Sequence, residues 1–161
     1  MKVFISGSIS IKKLPNIAKK KIDSIIEKKL TVVIGDARGV DSIVQKNLLK
    51  ENYNNVIVYH TGDKIRNNFG DWNTVTVQNE NNLKGREFYT LKDLKMADDA
   101  DYGLMIWDGK SKGTLKNIEE MKKNNKKFLV ILNELVVDEK HFDQFIELKT
   151  NQEENSQLEL F

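Results

Sequence analysis

Five short apolar runs, rich in valine and isoleucine and separated by helical patterns, constrain this chain more than any other feature. They are Val3-Phe4-Ile5, Thr31 to Ile34, Val56 to Tyr59, Tyr102 to Trp107 and Phe128 to Leu132. Such runs lack polar alternation, as strands buried on both faces of a parallel sheet do. Between them, apolar residues recur at helical spacing: Ala18, Ile22, Ile25, Ile26 and Leu30 after Pro15, then Val40, Ile43, Val44 and Leu48 after Gly39. Pro15 suits a first helical turn. Segments at about 86–100 and 114–124 continue the alternation, with Leu91, Leu94, Leu115, Ile118 and Met121 expected to face inward. Regular strand–helix alternation implies βαβ units. The expected class is α/β, a Rossmann-like three-layer sandwich on a mostly parallel five-stranded sheet, with a short extra strand near 74–78.

Residues 1–150 of the 161 read as one domain with its own core. Within it, 61–85 (TGDKIRNNFGDWNTVTVQNENNLKG) is too long for an ordinary connection and is expected to form a lid or an extra hairpin. Residues 151–161 read as a flexible acidic tail ending in QLELF. The 26 basic and 24 acidic side chains leave a net charge of +2 and no broad basic field, so direct nucleic-acid binding is not expected. The absence of cysteine excludes disulfides, thiolate catalysis and cysteine–zinc sites. His60 and His141 are far apart and belong to no ligand motif, so no metal site is expected. The opening apolar run is too short to cross a membrane and lacks a signal-peptide pattern, which points to a cytoplasmic protein.

In open parallel sheets, ligands bind beyond the carboxyl ends of the strands. Three segments fall there. Ser6-Gly7-Ser8 can bring backbone N–H groups and hydroxyls to an anion, or be a plain strand-to-helix turn. In Gly35-Asp36-Ala37-Arg38-Gly39-Val40-Asp41, Gly39 allows close approach at a helix start and Arg38 can hold a phosphate. Asp36 or Asp41 can accept from ribose hydroxyls; alternatively Asp41 only supports the helix and Arg38 is solvated. Asp108-Gly109-Lys110-Ser111-Lys112-Gly113-Thr114 joins glycines, lysines and hydroxyls before a helix, which suits a phosphate. None of the three is a dinucleotide fingerprint or a P-loop.

The second of these segments, G-D-A-R-G-V-D, together with A-D-Y-G-L-M-I-W-D-G-K-S-K-G-T, resembles the SLOG superfamily of Rossmann-like proteins, nearest its YspA/YpsA-like branch. The resemblance spans roughly residues 1–135. Relatives in that superfamily include cytokinin-activating phosphoribohydrolases, the DNA-processing protein A and sensors of nucleotide- or NAD-derived ligands. It therefore implies a nucleotide-type ligand, bound or sensed, and no separate cofactor. It does not imply one reaction. The phosphoribohydrolases carry P-G-G-x-G-T-x-x-E, whereas this chain has Lys110 and Ser111 at the two glycines and Asn117 at the glutamate. An amide cannot serve as a carboxylate base, and Glu119 and Glu120 project elsewhere on the helix. A nucleotide hydrolase or glycosyl transferase would need Asp36, Asp41 or Asp108 as substitute.

In the insertion, Arg66, Asn67, Asn68 and Trp72 can clamp phosphate and stack on a base, or anchor the loop to the body. The terminal Gln157-Leu158-Glu159-Leu160-Phe161 resembles the peptide by which replication and repair proteins hold the bacterial sliding clamp. That resemblance implies a clamp-tethered adaptor; Leu158, Leu160 and Phe161 can equally serve a homodimer contact or pack on their own domain.

Overall fold

The computed structural model describes residues 1–159. Its strands are β1 (Lys2–Gly7), β2 (Thr31–Gly35), β3 (Val56–Thr61), β4 (Asn73–Val77), β5 (Tyr102–Trp107), β6 (Lys127–Leu132) and β7 (Leu135–Asp138). The helices are α1 (Asn16–Glu27), α2 (Val40–Lys50), α3 (Gly85–Asp99), α4 (Lys112–Lys123) and α5 (Phe142–Leu158). All seven strands form one sheet in the order β4-β3-β2-β1-β5-β6-β7, parallel except for the β6–β7 pair.

Successive side chains of a strand point to opposite faces, and here both faces are dry. Ile5, Ile34 and Val58 pack with Ala18 and Ile22 of α1 and Val44 and Leu48 of α2. Their neighbours Phe4, Val33 and Tyr59 pack with Met96 and Ala97 of α3 and Ile118 and Met121 of α4. Burial on both sides is why the strand runs show no polar alternation.

The sheet has seven strands rather than five. β7 returns from β6 through Asn133-Glu134, with Asn133 in the left-handed region (φ 55°) that a two-residue hairpin requires. β4 lies parallel beside β3, with Ile57 opposite Asn73 and Thr61 opposite Val77. A parallel crossover usually carries a helix; residues 62–72 manage without one because they are pinned. Trp72 is buried in the α1/α2 core, and its indole N–H donates to the Tyr53 carbonyl (3.1 Å). The Asn68 side chain spans the turn, donating to the Trp72 carbonyl (2.9 Å) and accepting the Trp72 N–H (3.0 Å). Gln45 of α2 donates to the Asn67 carbonyl (3.2 Å) and accepts the Phe69 N–H (3.1 Å).

Two further expectations differ. Leu94 is 37% exposed, and the buried positions of α3 are Lys92, Met96 and Ala97. The acidic tail is helical to Leu158 as the end of α5, with residues 151–159 all exposed. Leu160 and Phe161, two of the five residues of the clamp-like peptide, lie outside the described residues, while Gln157 and Leu158 face solvent. Among the described residues, no helix is long and apolar enough to cross a membrane.

From β1 the chain steps outward through β2 and β3 to β4, returns across the other face in α3 to β5, then steps the opposite way. β1 and β5 are thus adjacent at the reversal, and the loops leaving them open a crevice.

Candidate functional site

The walls of this crevice are tied to each other. Ser8 Oγ lies 3.2 Å from Thr114 Oγ1 and accepts the Asp108 N–H (3.0 Å). Asp108 Oδ2 accepts from the Ser10 hydroxyl (2.6 Å), and Oδ1 accepts the N–H groups of Lys110 (2.8 Å) and Ser111 (2.7 Å). Partial burial opposes its charge, but these donors outweigh burial and hold its pKa down at about 2. Asp108 therefore clasps the loop with both carboxylate oxygens engaged, and it does not line the neighbouring cleft. Ser111 caps α4 by accepting the Thr114 N–H (3.4 Å). Asn117 donates to Ser6 Oγ (2.7 Å), a neutral crosspiece where the phosphoribohydrolase motif has its glutamate.

Beside them is a cleft of about 530 Å³, within the usual range for small ligands. Ser6 and Gly7 form its back, and Lys110 to Thr114 with Asn117 one wall. Ala37, Asp41 and Arg66 form the other wall, and Arg86, Tyr89, Thr90, Lys92 and Asp93 come from α3. A groove of about 460 Å³ at the opposite end of the strands, lined by Val3, Ile25, Leu104 and Phe128, is mostly apolar.

Eight of the residues expected at the site line this cleft: Ser6, Gly7, Asp41, Lys110, Ser111, Lys112, Gly113 and Thr114. Others do different work. A methyl group on Gly39 (φ +76°) would lie 2.6 Å from the Ile9 carbonyl oxygen, so this glycine lets two loops touch rather than a ligand approach. One on Gly35 would fall 2.5 Å from Asp41 Oδ2 and 2.6 Å from Lys92 Nζ. Gly35 keeps those two side chains together. Gly109 (φ +79°) turns against Leu132 and Lys149. Arg38 is exposed and outside the cleft.

Asp36 is not open to a ribose. Its Oδ1 accepts from the Arg66 guanidinium (2.6 Å) and its Oδ2 from the Arg66 N–H (2.9 Å). Burial opposes its ionisation, yet Arg66 outweighs burial and holds the carboxyl below its ordinary value. Asn67 donates to the Asp36 and Ala37 carbonyls (2.9 and 3.3 Å). Of the four insertion residues, then, Asn67, Asn68 and Trp72 anchor the segment. Arg66 alone reaches the cleft, its guanidinium 4.2 Å from the centre of the Tyr89 ring. Asp36→Ala should loosen this latch: amide exchange across 62–72 is expected to quicken by roughly tenfold or more, while β1 and β5 exchange as before. Unchanged exchange would remove the latch from Asp36.

The α3 contribution escaped sequence reasoning. Lys92 is 4% exposed, and its Nζ donates to Asp93 Oδ1 (2.6 Å). Burial alone would lower its pKa, but the Asp93 and Asp41 carboxylates prevail and raise it, so the ammonium persists. Asp41, also buried, is pushed up to about 6 by desolvation despite the pull of Lys92. The available signal was spacing: Lys92 and the apolar Met96 are four residues apart and share a face, from which Leu94 points away.

No protein-family model matches the chain, and no curated protein does. Among solved structures it is similar to DNA processing protein A from Helicobacter pylori, which is described for a unique single-stranded DNA binding mode. The TM-score is 0.59 at 18% identity, over 81% of this chain and 64% of that one, so this chain spans less than two thirds of that protein's length. This corrects the inference drawn from net charge: a chain of this fold binds single-stranded DNA, so a balanced total is no ground for setting nucleic acid aside. Nor is the charge evenly spread, since Lys12, Lys13, Lys19, Lys20, Lys28 and Lys29 are all exposed on and around α1. The similarity is one of fold, an α/β sandwich built on a mostly parallel sheet.

Proposed function

We propose that the protein binds a phosphate-bearing, nucleotide-derived ligand in the cleft between the ends of β1 and β5, in the manner of Rossmann-like folds. The carrying observation is the composition of one wall. The α4 N-terminus presents Ser111, Lys112, Gly113 and Thr114 to the cleft, with Lys110 beside them and Arg86 across it. Helix dipole, free N–H groups and cationic side chains all favour a phosphate there. Gly113 has no atom within 4 Å of a Cβ position beyond the Ser111 hydroxyl at 4.0 Å, so a ligand can approach its backbone.

The test is ligand-induced thermal stabilisation by nucleoside 5′-monophosphates and inorganic phosphate, with a single-stranded oligonucleotide in parallel because of the fold neighbour. Gly113→Leu should fold normally, since its side chain meets open space, yet bind about tenfold more weakly or worse. Undiminished stabilisation would remove the phosphate from this wall.

A second reading, cleavage or transfer at the N-glycosidic bond of such a nucleotide, is favoured by Asp41. It is the one candidate carboxylate among Asp36, Asp41 and Asp108 that lines the cleft, and its pKa near 6 suits proton transfer. Release of free base from a nucleotide panel, lost in Asp41→Asn, is the result that would favour this reading over binding alone.

A further inference from the structure

The cleft floor holds hydrogen-bonding capacity that the fold leaves unspent. Lys92, nine-tenths buried, donates to Asp93 Oδ1 and has no other acceptor among the described residues. Asp41, also nine-tenths buried, accepts the Ala37 N–H through Oδ2 (3.1 Å), and its second oxygen receives no donor among those residues. Asp93 Oδ2 is likewise unused, and Asp93 is partly open to the cleft. Two acceptors therefore flank a donor on the lining of the cleft, with bonding capacity left for a ligand.

Hydroxyl groups fit this arrangement because each donates through its hydrogen and accepts through its oxygen. A second phosphate does not fit, since two carboxylates would face it. The cationic wall at Ser111 to Thr114 takes the single anionic end. Asp36, at the end of β2 where an acidic residue could hold a ribose, is occupied by Arg66.

We propose that Lys92, Asp93 and Asp41 form a receptor for the vicinal hydroxyls of a phosphorylated ribose, so that the cleft selects ribonucleotides over 2′-deoxyribonucleotides. This rests on the phosphate-binding reading above and supplies what that reading lacks, the sugar. Asp93 is the principal acceptor because it is the more accessible carboxylate, and Lys92 fixes its orientation.

The experiment is calorimetric titration of the intact protein with the four ribonucleoside 5′-monophosphates, their 2′-deoxy counterparts and inorganic phosphate. The wild type should bind its preferred ribonucleotide about tenfold or more tightly than the matching deoxynucleotide, the scale of one hydrogen bond to a charged group. Asp93→Asn keeps the shape and should bring the pair to within about threefold, while inorganic phosphate still binds, at least as tightly because a negative charge has been removed from the cleft. Should that variant melt early, Asp93→Ser provides the same comparison. A wild type that binds both sugars equally, or an Asp93 variant that still discriminates, would overturn the receptor while leaving the phosphate site standing. Binding of neither phosphate nor any nucleotide would overturn both.

Discussion

Gly39→Ala is expected to lose about 3–5 kcal/mol of folding stability, summing strain at a left-handed backbone position with overpacking. The residue sits at φ 76°, ψ −130°, a conformation open essentially to glycine. The new methyl group would press on the Ile9 backbone, 2.6 Å from its carbonyl oxygen and 2.8 Å from its carbonyl carbon. Backbone cannot rotate aside as a side chain can, so the β1–α1 loop or the start of α2 must move. Either shift displaces a cleft wall, since Ile9 and Asp41 both line it. For a chain of this length the loss corresponds to roughly 10 °C in melting temperature. Gly113→Ala is the control: it meets no atom closer than 4.0 Å and lies in α4, where alanine is favoured by about 0.5–1 kcal/mol. If Gly39→Ala melts within about 2 °C of the wild type, the two loops are not in contact as described.

Gly39 also shows what a sequence can and cannot tell. A glycine at a helix start beyond a strand is correctly placed at a loop end, but sequence does not say whether a ligand or another loop comes close. The same holds for Asp36 and Asp108. Both are acidic residues beyond strand ends, yet Arg66 takes the oxygens of Asp36 and Ser10 one oxygen of Asp108, partners that only the folded chain brings within reach. The parallel strands were legible because burial on both faces leaves runs such as Val32-Val33-Ile34 without polar residues. β7 was less so, because Leu135-Val136-Val137 follows β6 after only two residues and reads as its continuation; Asn133 was the available turn signal. β4 was legible as the short extra strand expected near 74–78, although as an edge strand of mixed exposure it carries little hydrophobic contrast.

The α3 side of the site was harder to read for another reason. Helical phase reasoning assigns leucines inward and lysines outward, which is right when solvent is the only place for a charge. Here α3 returns over the sheet past the reversal between β1 and β5, and a cleft lies under its middle. An ammonium can be buried at Lys92 because Asp93 and Asp41 meet it there. Tertiary context thus reversed the local preference, and it did so where the fold has a site.

Asp41→Asn is expected to alter the response of stability to acid. The folded-state pKa of Asp41 is raised to about 6 from 3.8, with burial as the main cause and Lys92 pulling the other way. Between these values the folded protein holds a proton that the unfolded chain has released. The stabilisation from that proton is full below about pH 3.8 and is lost as pH rises through about 6. Relative to Asp41→Asn, the wild type should therefore gain stability as pH falls from 7 to 4, by up to about 3 kcal/mol for a shift of roughly two pKa units. The amide keeps an acceptor for the Ala37 N–H and nearly the same volume, so the comparison isolates the charge. Lys92, Asp93 and Asp36 also act on Asp41, which is why the difference between the two proteins, rather than either curve alone, carries the meaning. Urea unfolding of both proteins at several pH values from 4 to 8 measures it. A flat difference would mean that Asp41 is solvated in the folded state. A difference of opposite sign would mean that the Lys92 ammonium outweighs burial, making Asp41 a salt-bridged carboxylate rather than a group poised to exchange a proton within the cleft.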